Sequence, residues 1–248
     1  MISSHWPLLA LSIRTPRLEL RLPDDDELSE LAELATRGVY RAGERPFFSR
    51  WAERRAPDVA RAVIQRQWRK RGAWTPDHWA LELVVFEAKT GDPLGVQEIR
   101  GKDFARLGEV ETASWLGIEH QGRGFGTEAR LAALHLAFVE LGAEYALSAS
   151  FVDNASSISV SRKLGYQPDG VQRDVREGRV LVTQRFRMSR DDWWQRERPE
   201  IGVSGIAPCL ELFGAAADAS QHPLTRPRWL IHMGRFESDE AAGVAVVE

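Results

Sequence analysis

The chain has 248 residues, a formal net charge of −3 and an apolar fraction of 43%. That length suits one large domain, or one domain with an appendage, and can bury a full core. The nearly balanced charge excludes a general nucleic-acid or membrane binder, and the lone cysteine, Cys209, excludes a disulfide framework or a Cys-based metal site.

In chain order, Leu18 to Leu22 alternates strictly and reads as a first strand. Pro23 and the acids Asp24 to Asp26 start a helix whose buried stripe is Leu28, Leu31 and Leu34. A second helix spans about 58–71. Val63, Ile64 and Trp68 lie on one side and Arg61, Arg66, Arg69, Lys70 and Arg71 largely on the other, as a solvated basic face or a wall of a binding groove. Three antiparallel strands are expected over 78–87, 93–100 and 109–118, the first two joined by a tight turn at 89–92.

Next comes Trp115-Leu-Gly-Ile-Glu-His-Gln-Gly-Arg-Gly-Phe-Gly-Thr-Glu-Ala129, a strand end, a Gly-rich turn and the start of an amphipathic helix. Leu131, Leu134, Phe138 and Leu141 recur at helical spacing and mark its inward face. Gly122, Gly124 and Gly126 precede a free helix N-terminus, where converging backbone N–H groups make an anion cradle. A Walker loop would need a lysine, and none lies between Lys102 and Lys163. A dinucleotide fingerprint would need a third glycine where Thr127 stands. A strand over 144–152, a short helix from Asn154 and two strands over 167–173 and 179–188 follow, the last two joined at 177–178. Residues 191–194 close the domain, and 201–213 would add an edge strand or a short helix.

Gln121, Gly124 and Gly126 fill the pattern Gln/Arg-x-x-Gly-x-Gly/Ala, which resembles the pyrophosphate loop of the GNAT N-acyltransferases. The stretch Asn154-Ala-Ser-Ser-Ile-Ser-Val-Ser-Arg-Lys-Leu-Gly-Tyr166 resembles the second cofactor segment of that family. Details such as Thr15-Pro-Arg-Leu-Glu-Leu-Arg21 resemble the branch that acetylates ribosomal-protein N-termini. The series Lys102-Asp-Phe104, Ser114-Trp-Leu-Gly117 and Phe151-Val-Asp-Asn154 is similar to actinobacterial members, including a mycobacterial succinyltransferase. The resemblance implies an α+β fold, a mixed and mostly antiparallel splayed sheet flanked by helices. It covers about residues 12–190. The domain is therefore placed at 12–195, and 196–248 is left as a C-terminal extension, partly flexible or a dimer arm.

The resemblance further implies direct transfer of an acyl group from acyl-CoA (acetyl-CoA or succinyl-CoA) to a primary amine on a protein N-terminus, a lysine or a small molecule. No metal is expected. Gln121, Gly122, Arg123, Gly124, Phe125, Gly126 and Thr127 would hold the pyrophosphate. The pantetheine arm would follow Leu116, Gly117 and Ile118, and one of their N–H groups could steady the oxyanion. An amine must also lose a proton. A lysine titrates at about 10.4 and an α-amine at about 7.7–8.0, so an N-terminal acceptor asks less of the base. Glu111 is the candidate base, on the same strand face as Glu109 and Ala113, with Glu98 and Asp174 weaker candidates. Relatives carry a tyrosine acid seven residues after the Asn, and here that place is Ser161. Ser157 is the better partner for the sulfur. Asn154, Ser157 and Ser161 share a helix face, Asn154 is also a good N-cap, and Tyr166 would pack beside the cofactor.

A succinyl tail would want a cation beyond the thioester, from Lys102 or an Arg of the second helix. The competing reading is a non-catalytic acyl-CoA sensor, supported by the absent tyrosine. The opening residues lack a secretory pattern and no apolar stretch approaches membrane-spanning length, so a cytoplasmic location is expected. The resemblance implies a homodimer, and the arginine-rich composition fits a bacterial source.

Overall fold

The computed structural model describes residues 2–215 apart from 42, 45, 48 and 177. The stretch 216–248, expected to be flexible or a dimer arm, lies outside the described residues. Ser12–Arg14 (β1) pairs antiparallel with Leu18–Arg21 (β2), in which Leu18 and Leu20 are buried. Helix α1 (Asp25–Thr36) starts in a capping box. The Asp24 carboxylate accepts from the Glu27 N–H, and the Glu27 carboxylate accepts from the Asp24 N–H. Leu28, Leu31 and Leu34 are buried along it, as their spacing predicts.

Helix α2 (Ala56–Gly72) has Pro57 in its first turn, where no intrahelical N–H is missed. Its inward stripe differs from the expected one. Val59, Val63 and Gln67 are buried while Trp68 is 58% exposed. The Gln67 amide donates to the Glu82 carbonyl, so a polar side chain takes the inward position that hydrophobicity assigned to its neighbour.

Strands β3 (His78–Glu87), β4 (Pro93–Lys102) and β5 (Glu109–Leu116) form the antiparallel run. One turn of helix, α3 (Phe104–Leu107), joins the last two. Helix α4 (Phe125–His135) runs on into a π-helical stretch over Leu136–Glu140. Strand β6 (Tyr145–Phe151), helix α5 (Ala155–Leu164), the hairpin β7 (Gln167–Arg176) and β8 (Arg179–Ser189), and helix α6 (Arg190–Trp194) complete the order. Three residues, Gly202–Ser204 (β9), then return to pair with β1.

Among the described residues the nine strands make one open sheet in the order β7-β8-β6-β5-β4-β3-β2-β1-β9. The pair β5/β6 is parallel and all the others are antiparallel. That parallel pair is also the shortest contact between long strands. It holds only Glu109, Val110 and Glu111 against Tyr145, Ala146 and Leu147. Beyond Glu111, β5 stays with β4 while β6 stays with β8, so the sheet splays and one edge of β5 is left unpaired.

Two cores cover the two faces. One packs α1 and α2 on Val84, Phe86 and Val96, and the other packs α4 on Leu81, Leu83, Ile99 and Val110. The segment that follows β9 extends the second core. Residues Ala207–Phe213 form a 3-10 turn with Cys209 and Phe213 fully buried. The Phe213 ring lies 4.9 Å from Trp79, whose indole N–H donates to the Phe213 carbonyl. The 201–213 stretch therefore supplies both an edge strand and a short helix. Among the described residues no helix is long and apolar enough to cross a membrane.

Candidate active site

Helix α4 is the one long helix near the splay whose N-terminus opens on a glycine. Helix α5 is capped by Asn154, whose side-chain oxygen accepts from the Ser157 N–H at 3.1 Å, whereas no side chain caps α4. Its N-cap is Gly124, at φ +83°, preceded by Gly122 at φ +75°. These left-handed conformations are accessible to glycine at little strain, and they turn the chain so that first-turn N–H groups face outward. An uncapped helix start with its positive dipole end free suits a pyrophosphate.

The loop is tied down from behind. The Gln121 amide donates to the Val39 and Leu116 carbonyls at 2.9 and 3.0 Å, so Gln121 braces the loop and does not present its side chain to an anion. Phe125 is buried, and the Arg17 and Arg123 guanidiniums lie over its ring at 4.7 and 4.9 Å. Arg17 also donates to Glu128 and to the Arg123 carbonyl. Two cations thus flank the cradle. Gly126 and Thr127 bring their backbone to the first turn of α4, with Gly126 packed near the Leu116 side chain.

Leu116, Gly117 and Ile118 follow β5 as expected, but two of their three N–H groups are already used. Gly117 donates to the Leu94 carbonyl and Ile118 to the Gly38 carbonyl, both at 2.9 Å. An oxyanion role for those two N–H groups does not fit. By the alternation of an antiparallel ladder, the bond from Gly117 also directs the Trp115 and Ala113 N–H groups toward β4. Those of Leu116 and Ser114 then turn to the open edge.

On the other face, a cavity of about 860 Å³ lies between α2 and strands β3 to β5. Trp51 and Trp115 (ring centroids 5.7 Å apart), Arg66, Lys70, Glu82, Glu98 and Ser114 of β5 are among its lining residues. Arg66 bridges Glu82 and Glu98, and Lys70 and Arg100 also reach Glu98. Burial pushes the Glu82 carboxyl above the usual carboxylate range, against the opposing pull of Arg66. Its Oε2 has no hydrogen-bond partner among the described residues.

Glu111 shares the β5 face with Glu109 and Ala113, but both its oxygens accept from Arg100. Taking a proton there would mean opening a bidentate pair. Asp174 lies out on β7, where its carboxylate accepts from Gln172.

In the splay itself, Ser161 is fully buried and accepts from Arg130, while the Ser157 side chain is half-buried on the outer turn of α5. Asn154, Ser157 and Ser161 share a helix face, yet only the first two stand at its open end. Tyr166 is buried, its hydroxyl 3.3 Å from Thr112 Oγ1, and burial pushes the phenol up. That direction makes it a weaker acid. Among the described residues no three His, Cys, Asp or Glu side chains gather in a way that could hold a metal ion.

Residues 17–167, more than half the chain, match the family model of the acetyltransferase (GNAT) domain. The chain belongs to the GNAT acetyltransferase family. Solved structures with the same fold include the ribosomal L7/L12 α-N-protein acetyltransferase RimL in complex with coenzyme A. It is 15% identical, with a TM-score of 0.57 over 72% of this chain and 97% of that one. A GCN5-related N-acetyltransferase of Brucella melitensis is 18% identical, with a TM-score of 0.58 over 73% and 80% of the two chains. The ribosomal-protein-S5-alanine acetyltransferase of Vibrio fischeri is 16% identical, with a TM-score of 0.52 over 73% and 98%.

This GNAT domain uses a coenzyme A thioester and is an acyl-CoA-dependent N-acetyltransferase. Two features of it escaped the sequence. Glu82 breaks an otherwise apolar strand and Arg130 an otherwise apolar helix face, and those interruptions were the available signal.

Proposed function

We propose that the protein moves an acetyl group from acetyl-CoA directly to a primary amine that enters the cavity between α2 and β3 to β5. The observation that carries this is continuity along β5. The open N-terminus of α4, the unpaired strand edge and the cavity lie in succession, so a thioester anchored at one end reaches the amine at the other. Glu82 takes the proton. It lines the cavity, has a free oxygen and holds its proton more tightly than an ordinary carboxylate, which brings it closer to the working pH of a base. Ser157 and the Leu116 or Ser114 N–H groups face the thioester.

The acceptor is an α-amine at a protein N-terminus. The lower pKa of such an amine supports this, as do the ribosomal-protein acetyltransferases among the solved structures of the same fold. A succinyl donor is the second reading. Arg54 and Arg69 line the cavity with no ion pair among the described residues and would suit a carboxylate, whereas Lys102 does not line it. Substrate supply puts the protein in the cytoplasm, and a homodimer is the assembly to test by sedimentation.

Release of free coenzyme A is the assay, with acetyl-CoA and succinyl-CoA as competing donors. Acceptors are an α-amine peptide, an Nα-blocked lysine peptide and a small diamine. Turnover of acetyl-CoA on the α-amine peptide is expected, falling roughly a hundredfold in Glu82→Gln and less than about tenfold in Glu111→Gln. Binding without turnover on any amine would establish the sensor reading instead, and preference for succinyl-CoA would overturn the donor.

A further inference from the structure

Arg130 is a buried cation that no carboxylate among the described residues pairs with. It belongs to α4 and is 5% exposed. Its guanidinium donates to three hydroxyls, Ser114 on β5 and Ser161 on α5 at 3.2 Å each and Ser148 on β6 at 3.4 Å. Its Nε has no partner among the described residues. Burial pulls the guanidinium pKa down, yet an arginine stays charged in any protein setting. A buried charge held only by neutral dipoles is unfavourable, and the three serines offset part of that.

The position explains what the charge is for. Arg130 lies six residues into α4 from Gly124, roughly 9 Å along the helix from the cradle at 1.5 Å per residue. It spans the two strands where they part, and its partner Ser114 also lines the cavity. The path proposed above, from the cradle along the free edge of β5 to the cavity, runs by Ser114, to which Arg130 donates.

We propose that Arg130 is a catalytic residue that stabilises the departing coenzyme A thiolate, so that the transfer needs no tyrosine acid. This rests on the acetyl transfer proposed above. The free amine attacks the thioester carbon, the N–C bond forms, and one amine proton passes to Glu82. The C–S bond breaks with its electron pair going to sulfur. The thiolate leaves as an anion beside the guanidinium, which keeps its own protons; after release Glu82 returns its proton to solvent, and solvent protonates the sulfur. Ser161, fully buried and engaged by Arg130, positions that guanidinium.

The test is the thiol pKa of coenzyme A bound to the full protein, read as thiolate ultraviolet absorbance against pH. The protein's own thiol does not interfere, because burial pushes Cys209 up to about 11. Free coenzyme A, titrated alongside, supplies the reference. Bound coenzyme A is expected to titrate at least about one unit lower, a tenfold gain in thiolate. Arg130→Met should abolish that shift and lower kcat about tenfold or more, while the affinity for acetyl-CoA, whose thioester group is neutral, changes less than about threefold. Arg130→Lys should restore part of both.

If bound coenzyme A titrates like the free thiol in the wild type, Arg130 has no such role, and this holds even if the methionine variant fails to fold. If Arg130→Met loses acetyl-CoA affinity and leaves kcat intact, Arg130 only shapes the wedge. If the wild type neither binds acetyl-CoA nor turns it over, the acetyl-transfer reading falls and takes this one with it. Binding and turnover with an unshifted thiol sink the Arg130 inference alone.

Discussion

Replacing Gly124 by alanine separates the cradle's two duties, turning the chain and binding the pyrophosphate. Gly124 sits at φ +83°, a conformation that costs an L-residue roughly 1–2 kcal/mol. An added Cβ would stand 3.3 Å from Arg17 Nη2, the far end of a flexible side chain that can yield. The fold should therefore survive. For a domain of this size, roughly 2–4 °C per kcal/mol predicts a melting temperature lower by about 2–8 °C. Binding should suffer more. Moving Arg17 or rotating one first-turn N–H away from the pyrophosphate removes a charge-assisted hydrogen bond of roughly 1.5–3 kcal/mol, about ten- to 150-fold in Kd. Titration calorimetry with acetyl-CoA, run beside a thermal melt, measures both. Gly124→Trp should abolish binding with a melt that is still cooperative. If Gly124→Ala melts lower yet binds acetyl-CoA as tightly as the wild type, the loop is only a turn and the cradle reasoning fails.

Three further outcomes follow from the packing and electrostatics. Phe213→Ala empties a fully buried site against Trp74 and Trp79 and should destabilise by about 3–5 kcal/mol, lowering the melting temperature by about 6–20 °C; a loss under about 1 kcal/mol would mean that the C-terminal turn does not belong to the core. Asn154→Ala removes the cap of α5 and should cost about 1 kcal/mol by denaturant titration, with acetyl-CoA affinity reporting any additional contact. Glu82 has its folded-state pKa raised by burial, so its contribution to stability is fully present below the unfolded value. That contribution is lost as pH rises through the folded value. Melts of wild type and Glu82→Gln from pH 4 upward should show the variant gaining on the wild type; the opposite trend would contradict a raised carboxyl.

What the sequence determined by itself was local. Two-residue alternation at Leu18 and Leu20 and the capping box of Asp24 and Glu27 each involve residues a few positions apart. So do the glycine turn before α4 and the Asn154 cap. Such features appear in any reading that respects strand and helix periods, and with the two cofactor-like segments they brought out the GNAT fold. The three-residue strand β1 has no counterpart in the sequence reading because so short a segment carries almost no periodicity; it is a strand because β2 and β9 lie on either side of it.

The tertiary structure decided the identities of partners distant in sequence. Trp79 meets the Phe213 carbonyl across 134 positions, and Arg17 meets Glu128 across 111. Arg100 occupies the carboxylate that the family resemblance had offered as a base, and Gly38 and Leu94 take up two N–H groups of the expected oxyanion site. Arg130 interrupts the apolar face of its helix, and only the parting of β5 from β6 shows what it meets there, three hydroxyls and no carboxylate among the described residues. Burial and pairing are properties of assembled surfaces. A one-dimensional pattern shows which side chains face inward, while their neighbours, and hence their charge and chemistry, emerge only once the sheet has closed on its helices.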